Sequence, residues 1–314
     1  MNSAINEKTP LTQFTGPKYW PTWIGLWIMW LLAHLPFALQ VKIGQFLGLL
    51  AYYLARQRRE ICRINIKLCF PELTATEQQE LVRKSFISNG IAVMEVALGW
   101  CRNIEDFRSR VSISGLENLR AAKARGRGVL LVCAHFSTLE FAGALLTLFE
   151  DMDVTYRKHK NLLFDAVMSN ARKRHFLAVV ERKNVRDTYK RLKQGHTLWY
   201  APDQDYGAKH SVFVPFFGVE AATITATSRF ASANDSAVLF FAHYRNKDNT
   251  GYLLEISPTI NDYPSDDEVA DATKINDIIE KAIRKAPDQY LWMHKRFKTQ
   301  AAGKMASPYY KKPR

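Results

Sequence analysis

A chain of 314 residues with 47% hydrophobic content is long enough for one large α/β domain and too apolar for general disorder. Its 44 Lys and Arg against 30 Asp and Glu leave a formal charge of +14, which points to an anionic partner; nucleic acid, anionic lipid and an acidic protein all fit that number. Four cysteines (Cys62, Cys69, Cys101, Cys133) lack the paired spacing of a zinc site or a redox motif and read as reduced cytosolic thiols rather than a disulfide framework.

In chain order, residues 1–18 are polar and are expected to form a flexible lead. Residues 19–41 contain no Asp, Glu, Lys or Arg and carry Trp20, Trp23, Trp27 and Trp30. A membrane span needs about 20 mostly apolar residues, so this run is expected to be an anchor helix, either crossing the bilayer or, kinked at Pro36, lying in the interface. A cleaved signal peptide fits poorly, because the run is long and no small-residue cleavage site follows it. Residues 42–110 then read as a helical membrane-proximal region. Ile43 to Ala55 is too short to span and is expected to pack along the membrane or the domain. Arg56, Arg58, Arg59, Arg63 and Lys67 follow, which by the positive-inside rule holds the next domain on the cytoplasmic side, against anionic headgroups. A solvated basic helix is the alternative. Glu77 to Trp100 has helical spacing, with Leu81, Phe86, Ile91, Met94 and Leu98 as core positions.

From residue 111 to 314 the pattern becomes strand–helix alternation. Strands are expected at Val111–Ile113, around Gly128–Ala134, at Val154–Lys158, Ala178–Val180, Thr197–Ala201 and Val212–Val214. Helices are expected at Leu116–Lys123, Asn161–Arg174, Asn184–Lys193 and Thr223–Asn234, then two antiparallel strands, Ala237–Tyr244 and Tyr252–Ile256, and a helix from about Asp266 to Arg284. This order predicts an α/β fold with a mostly parallel mixed sheet flanked by helices.

The chemistry concentrates in Gly128-Val129-Leu130-Leu131-Val132-Cys133-Ala134-His135-Phe136-Ser137-Thr138-Leu139-Glu140. An unbroken apolar run is the mark of a fully buried strand, and a histidine at its carboxyl end stands where ligands gather in open α/β sheets. Five residues along one straight helix turn about 500°, so His135 and Glu140 would not share a face. A chain that leaves the strand at His135 and starts a helix near Ser137 can bring them together, the carboxylate fixing the imidazole tautomer and leaving the other nitrogen as a base. Ser137-Thr138-Leu139-Glu140 is also a capping box, in which Glu140 serves only the helix end. Cys133 shares a strand face with His135, so a Cys–His nucleophile is conceivable; burial would raise the thiol pKa and make it inert. Arg157 ends a strand and could face the same crevice with its planar donor fork, or be a surface arginine. Asp203-Gln204-Asp205-Tyr206-Gly207 follows a hydrophobic strand; turn chemistry explains it, and one loop supplies too few ligands for a divalent metal.

His135-Phe136-Ser137-Thr138-Leu139-Glu140 resembles the H-x-x-x-x-D/E signature of the glycerolipid acyltransferase superfamily. Within it the chain is most similar to the late (secondary) acyltransferases of lipid A biosynthesis in Gram-negative bacteria. The resemblance covers nearly the whole chain: Arg58-Arg59 with Asn65-Ile66, Tyr156-Arg157 followed by Asn161, Asp203-Gln204-Asp205, Pro215-Phe216-Phe217-Gly218, a Thr-rich stretch at Thr223, and Trp292-Met293-His294-Lys295-Arg296. In that last block His294 is either a second titratable group or a packed core histidine. The resemblance implies an inner-membrane enzyme with its catalytic domain on the cytoplasmic face, an acyl carrier protein thioester as donor and a hydroxyl on an acyl chain of a lipid A precursor as acceptor, with no cofactor, metal or nucleic acid. His135, oriented by Glu140, would be the base. Arg157, with backbone donors near Phe136, would hold the oxyanion. Tyr156, Asn161, Asp203, Gln204, Asp205, Pro215, Phe216, Gly218 and Thr223 would line or position the substrate crevice. The rival readings are a glycerophospholipid or mannoside acyltransferase using acyl-CoA, and a basic binding module without chemistry.

Overall fold

The computed structural model describes residues 7–301 and 308–310. The part of the expected lead at residues 1–6 lies outside them. Residues 7–18 are held rather than loose: Phe14 is buried against Leu163 and Ala166, and Thr9 exchanges backbone hydrogen bonds with the Asn170 amide at 2.9 and 2.8 Å.

The single anchor helix expected over 19–41 is instead two helices, α1 (Trp20–Ala33) and α2 (Phe37–Leu54), separated by His34-Leu35-Pro36. Pro36 lacks an N–H and disfavours helix in the residue before it, so the chain stops and restarts there. At 1.5 Å per residue α1 is about 21 Å long, short of the ~30 Å hydrocarbon layer, and α2 about 27 Å. The helix of membrane length and hydropathy is therefore α2, which absorbs the stretch expected to be too short. Helix α3 (Arg56–Cys69) carries the arginine cluster, and α4 (Ala75–Cys101) opens on a formed capping box between Thr74 and Glu77. Leu81, Phe86, Ile91, Met94 and Leu98 of α4 are all buried, as expected. α2 meets α4 through glycines: a Cβ on Gly48 would lie 2.4 Å from the Phe86 carbonyl, and one on Gly90 2.2 Å from the Gly44 carbonyl. Small residues at that crossing let the two backbones touch.

The α/β part runs β1 (Val111–Ser114), α5 (Leu116–Ala124), β2 (Val129–Cys133), α6 (Leu139–Leu146), β3 (Asp153–Tyr156), α7 (Leu162–Arg172), β4 (Ala178–Glu181), α8 (Val185–Lys193) and β5 (Thr197–Tyr200). It continues with β6 (Ser211–Phe216), β7 (Val219–Ile224), α9 (Ala226–Asn234), β8 (Ala237–Arg245), β9 (Tyr252–Ile256) and α10 (Glu268–Lys285). The main sheet has the order β1-β9-β8-β2-β5-β3-β4, with β8–β9 its antiparallel pairing and the others parallel. Every residue of β2 is buried, and its side chains alternate: Leu130 and Val132 join the core against α3 and α10, while Val129, Leu131 and Cys133 join the core against α5 and α6. One expectation fails here. Residues 219–224 form a strand paired antiparallel with β6, so the helix expected from Thr223 starts only at Ala226. Phe217 and Gly218 both take positive φ at the hairpin tip, a geometry glycine adopts at no steric cost.

Candidate active site

His135, two residues past β2, sits beside the carboxyl ends of the neighbouring parallel strands. The segment after β5 brings Asp203 against it: the Asp203 carboxylate accepts from His135 Nδ1 at 2.5 Å and from the His135 backbone N–H at 3.0 Å. Asp203 is fully buried. Burial pushes its carboxyl up, but the facing imidazole, these two hydrogen bonds and one from Tyr290 outweigh that and hold it below the usual carboxylate range. An ionised Asp203 only accepts, so the Nδ1 proton belongs to His135 and Nε2 carries the lone pair. The imidazole lines a cavity of about 620 Å³ beyond the carboxyl ends of β2, β3, β4 and β5. Leu139, Val154, Trp199 and Phe230 supply its apolar walls, and Arg157, Arg182 and Lys183 its cationic rim. Trp199 enters because α6 has Gly143 there; a Cβ would stand 2.2 Å from the indole.

The chain after His135 is pinned from far away in sequence. Leu291 N–H donates to the His135 carbonyl at 2.9 Å and Ser137 N–H to the Gln289 carbonyl at 2.6 Å, and Phe136 bridges Tyr290. Ser137 Oγ meets Ser88 Oγ at 2.8 Å, and Ser88 lies under the buried Arg245–Glu95 pair, 2.6 Å apart.

Glu140 takes neither role expected of it. α6 begins at Leu139 with Thr138 as its N-cap and no side-chain cap, so the capping box is absent. No hydrogen bond or ion pair joins Glu140 to the His135 ring either. Its oxygens accept from Arg172 at 3.0 and 2.5 Å and from Trp100 Nε1 at 2.9 Å. Burial pushes the Glu140 carboxyl up, and the Arg172 guanidinium, the Trp100 hydrogen bond and the nearby His175 together more than reverse it. α7 carries Arg172 opposite the first turn of α6, and that cation claims the carboxylate. Both residues line the crevice.

Of the other expected site residues, Tyr156, Arg157 and Gln204 line the crevice. The rest act elsewhere. Asn161 caps α7 and donates to Thr22 of α1 at 2.7 Å. Asp205 is buried and accepts from Thr299 N–H and Oγ1, both at 2.8 Å. Pro215 and Gly218 belong to the β6–β7 hairpin, Phe216 is fully buried in the core, and Thr223 accepts from Asn276 and Arg296 at 3.1 and 3.0 Å. None of these lines the crevice; Pro215, Phe216, Gly218 and Thr223 are drawn off by the β6–β7 hairpin, from which Ile224 reaches the crevice. The backbone donors near Phe136 are also taken: Phe136 N–H bonds the Ala134 carbonyl at 2.8 Å and Leu139 N–H the Phe136 carbonyl at 3.0 Å. Burial raises the Cys133 thiol well above its ordinary value, so it is inert as a nucleophile. His294 is driven down to about 4, by burial first and Lys298 second, and stays neutral. Sequence reasoning missed the Asp203–His135 contact, Arg172, Trp100 and Tyr290. The available signal was that two predicted parallel strands, β2 and β5, each end in a polar block.

A histidine held by a buried carboxylate at a cation-rimmed apolar crevice has the geometry for general-base chemistry on a ligand with an apolar part. Residues 7–299 match the family of bacterial lipid A biosynthesis acyltransferases, and the chain belongs to it. It is 39% identical over 292 residues to the lipid A biosynthesis palmitoleoyltransferase of Escherichia coli (strain K12), spanning 93% of this chain and 95% of that protein. To the lipid A biosynthesis lauroyltransferase of the same organism it is 37% identical over 293 residues, 93% of this chain and 96% of that protein. A lipid A biosynthesis acyltransferase of Haemophilus influenzae is 36% identical over 310 residues, 97% and 99% of the two chains. Relatives named for different acyl groups thus stand at nearly equal identity.

Proposed function

We propose that this protein transfers a fatty acyl chain from an acyl carrier protein thioester to a hydroxyl on an acyl chain of a lipid A precursor, with His135 as general base and Asp203 as the group that orients it. The observation that carries the reading is the 2.5 Å contact of Asp203 with His135 Nδ1 at a crevice with apolar walls and a cationic rim. Nε2 takes the hydroxyl proton, Asp203 stabilises the imidazolium as it forms, and the alkoxide attacks the thioester carbonyl. Arg157 supports the developing oxyanion. The collapsing intermediate expels the carrier thiolate, which recovers the proton from His135. Glu140 holds Arg172 at the crevice, and the apolar walls suit the acyl chain.

The donor reading is supported by charge, since +14 favours an acidic protein donor through steering and register. Membrane attachment is supported by helices α1 and α2, whose Trp20, Ile24, Trp27, Phe46 and Leu54 are exposed, followed by the arginines of α3. On this reading the catalytic domain works at the cytoplasmic face of the inner membrane. The test presents acyl carrier protein thioester or acyl-CoA, with lipid A precursor or a glycerophospholipid as acceptor, and measures the mass added to each lipid. Transfer to the precursor from the carrier protein, with the advantage over acyl-CoA shrinking as salt rises, is expected. Equal use of acyl-CoA at every salt, or acylation of the glycerophospholipid, would sink it.

A further inference from the structure

Away from the crevice, a second concavity of about 1020 Å³ opens where α2 passes into α3, against the first turns of α4. Its walls carry Arg56, Arg59, Arg63 and Lys295 and one carboxylate, Glu60. Arg63 occupies that carboxylate at 2.7 Å, so Arg56, Arg59 and Lys295 have no acidic partner among the described residues. Two of the three are nonetheless placed. Arg59 lies 5.1 Å from the Tyr52 ring centroid and donates to the Tyr52 and Tyr53 carbonyls, while Lys295 stands 5.6 Å over Tyr310. Cations around an open hollow, two of them held in place and three without a matching carboxylate, describe a site for an anion.

Its location says which anion. α2 ends at the rim of the concavity with Tyr53 61% and Leu54 71% exposed. These close a stripe of exposed side chains, Leu39, Phe46 and Leu50, whose spacing puts them on one side of the helix. Read along the chain, an apolar stripe gives way to a tyrosine pair and then to unpaired arginines. That is the order of hydrocarbon, interface and phosphate layers in one leaflet of a bilayer. We infer that the concavity between α3 and α4 holds the phosphate-bearing headgroup of an anionic phospholipid, whose acyl chains lie along the exposed stripe of α2. The inference rests on the reading of α1 and α2 as the membrane-contacting part. An acidic carrier protein would match the charge, but it would not account for an apolar stripe running into the same hollow.

The test uses the full chain and sedimentation with phosphatidylcholine vesicles, with and without phosphatidylglycerol. Arg56→Gln with Lys295→Gln removes two cations from the concavity. Lys247→Gln with Lys281→Gln removes two exposed cations from the β8–β9 turn and α10 and is the matched control. The first pair is expected to weaken binding to phosphatidylglycerol vesicles roughly 30-fold, and the control pair by less than about twofold. Equal losses in both pairs would reduce the effect to net charge and overturn the proposal. Wild-type protein that ignores both kinds of vesicle would defeat the membrane reading of α1 and α2 first and leave the concavity no membrane to face. Wild-type binding matched by the Arg56/Lys295 variant would defeat the headgroup site alone. Displacement from vesicles by soluble glycerophosphate would assign the site to a free phosphate ester. An unchanged vesicle affinity with a raised KM for the protein donor would assign it to the carrier protein.

Discussion

Two carboxylates stand at this site, Asp203 buried behind the His135 ring and Glu140 on the crevice wall, and both are held below the ordinary range by their partners, yet they are built for different work. Asp203 faces an imidazole, a partner that can gain and lose a proton in the reaction, and Glu140 faces a guanidinium, which cannot. A carboxylate paired with a titratable base can follow a proton transfer; one paired with a permanent cation can only position it. The partner, more than the acid itself or its distance along the sequence, sets the role.

The widest gap between the two corners should appear at the base. His135→Ala is expected to cut turnover per folded molecule by on the order of 10³-fold or more, with some loss of stability because it strips the buried Asp203 carboxylate of its imidazole partner. Asp203→Asn should follow at about 100-fold or more, and combining it with His135→Ala should add little, because the two act as a unit. Additive losses in the double variant would separate them.

Glu140→Gln tests the other corner. It leaves the Arg172 guanidinium without a counter-charge in a mostly buried place, so the expected effect is a stability loss of about 3 kcal/mol with turnover per folded molecule down by roughly tenfold. Chemical denaturation beside active-site-normalised kinetics measures both. A larger turnover loss than Asp203→Asn at full stability would restore Glu140 as the orienting group.

A change of pH leaves turnover chemistry aside and tests the buried histidines through stability alone. Burial lowers His243 to about 3 and His294 to about 4, from an ordinary 6.5. Between those values the unfolded chain binds protons that the folded chain refuses, so stability declines as pH falls from 6.5 towards 4. Asp203 and Glu140, with folded pKa values below their unfolded ones, add a further loss on the acid side of the usual carboxylate range. An unfolding midpoint that stays level from pH 7 to pH 4 would contradict this assignment of the buried histidines.

Much of this was readable in the sequence because it is local. The apolar run of β2, the core positions of α4 and the strand–helix alternation each follow from periodicity. The break at Pro36 was visible too, but its result was not. Whether a proline kinks one helix or divides two depends on what each half packs on, and here Gly44 and Gly48 fix α2 to α4. Glu140 shows the same boundary. Its distance along the chain from His135 allowed a contact, and a competing arginine from α7 won. Thr223 and Phe216, near the crevice in sequence order, were drawn off by a hairpin whose tip conformation is set at Phe217 and Gly218. Long-range competition, rather than weak local signal, decided each of these.

The bonds from residues 289–291 to the strand end at His135 carry a consequence for biosynthesis. A ribosome delivers helices α1 and α2 early and the segment that clamps the chain at His135 very late, and domains assemble as they emerge. The protein can therefore reach its place of work before it can do any. Truncated products that lack residues 289–291 would keep Asp203 on the imidazole but lose the two backbone bonds that pin the chain on either side of Phe136.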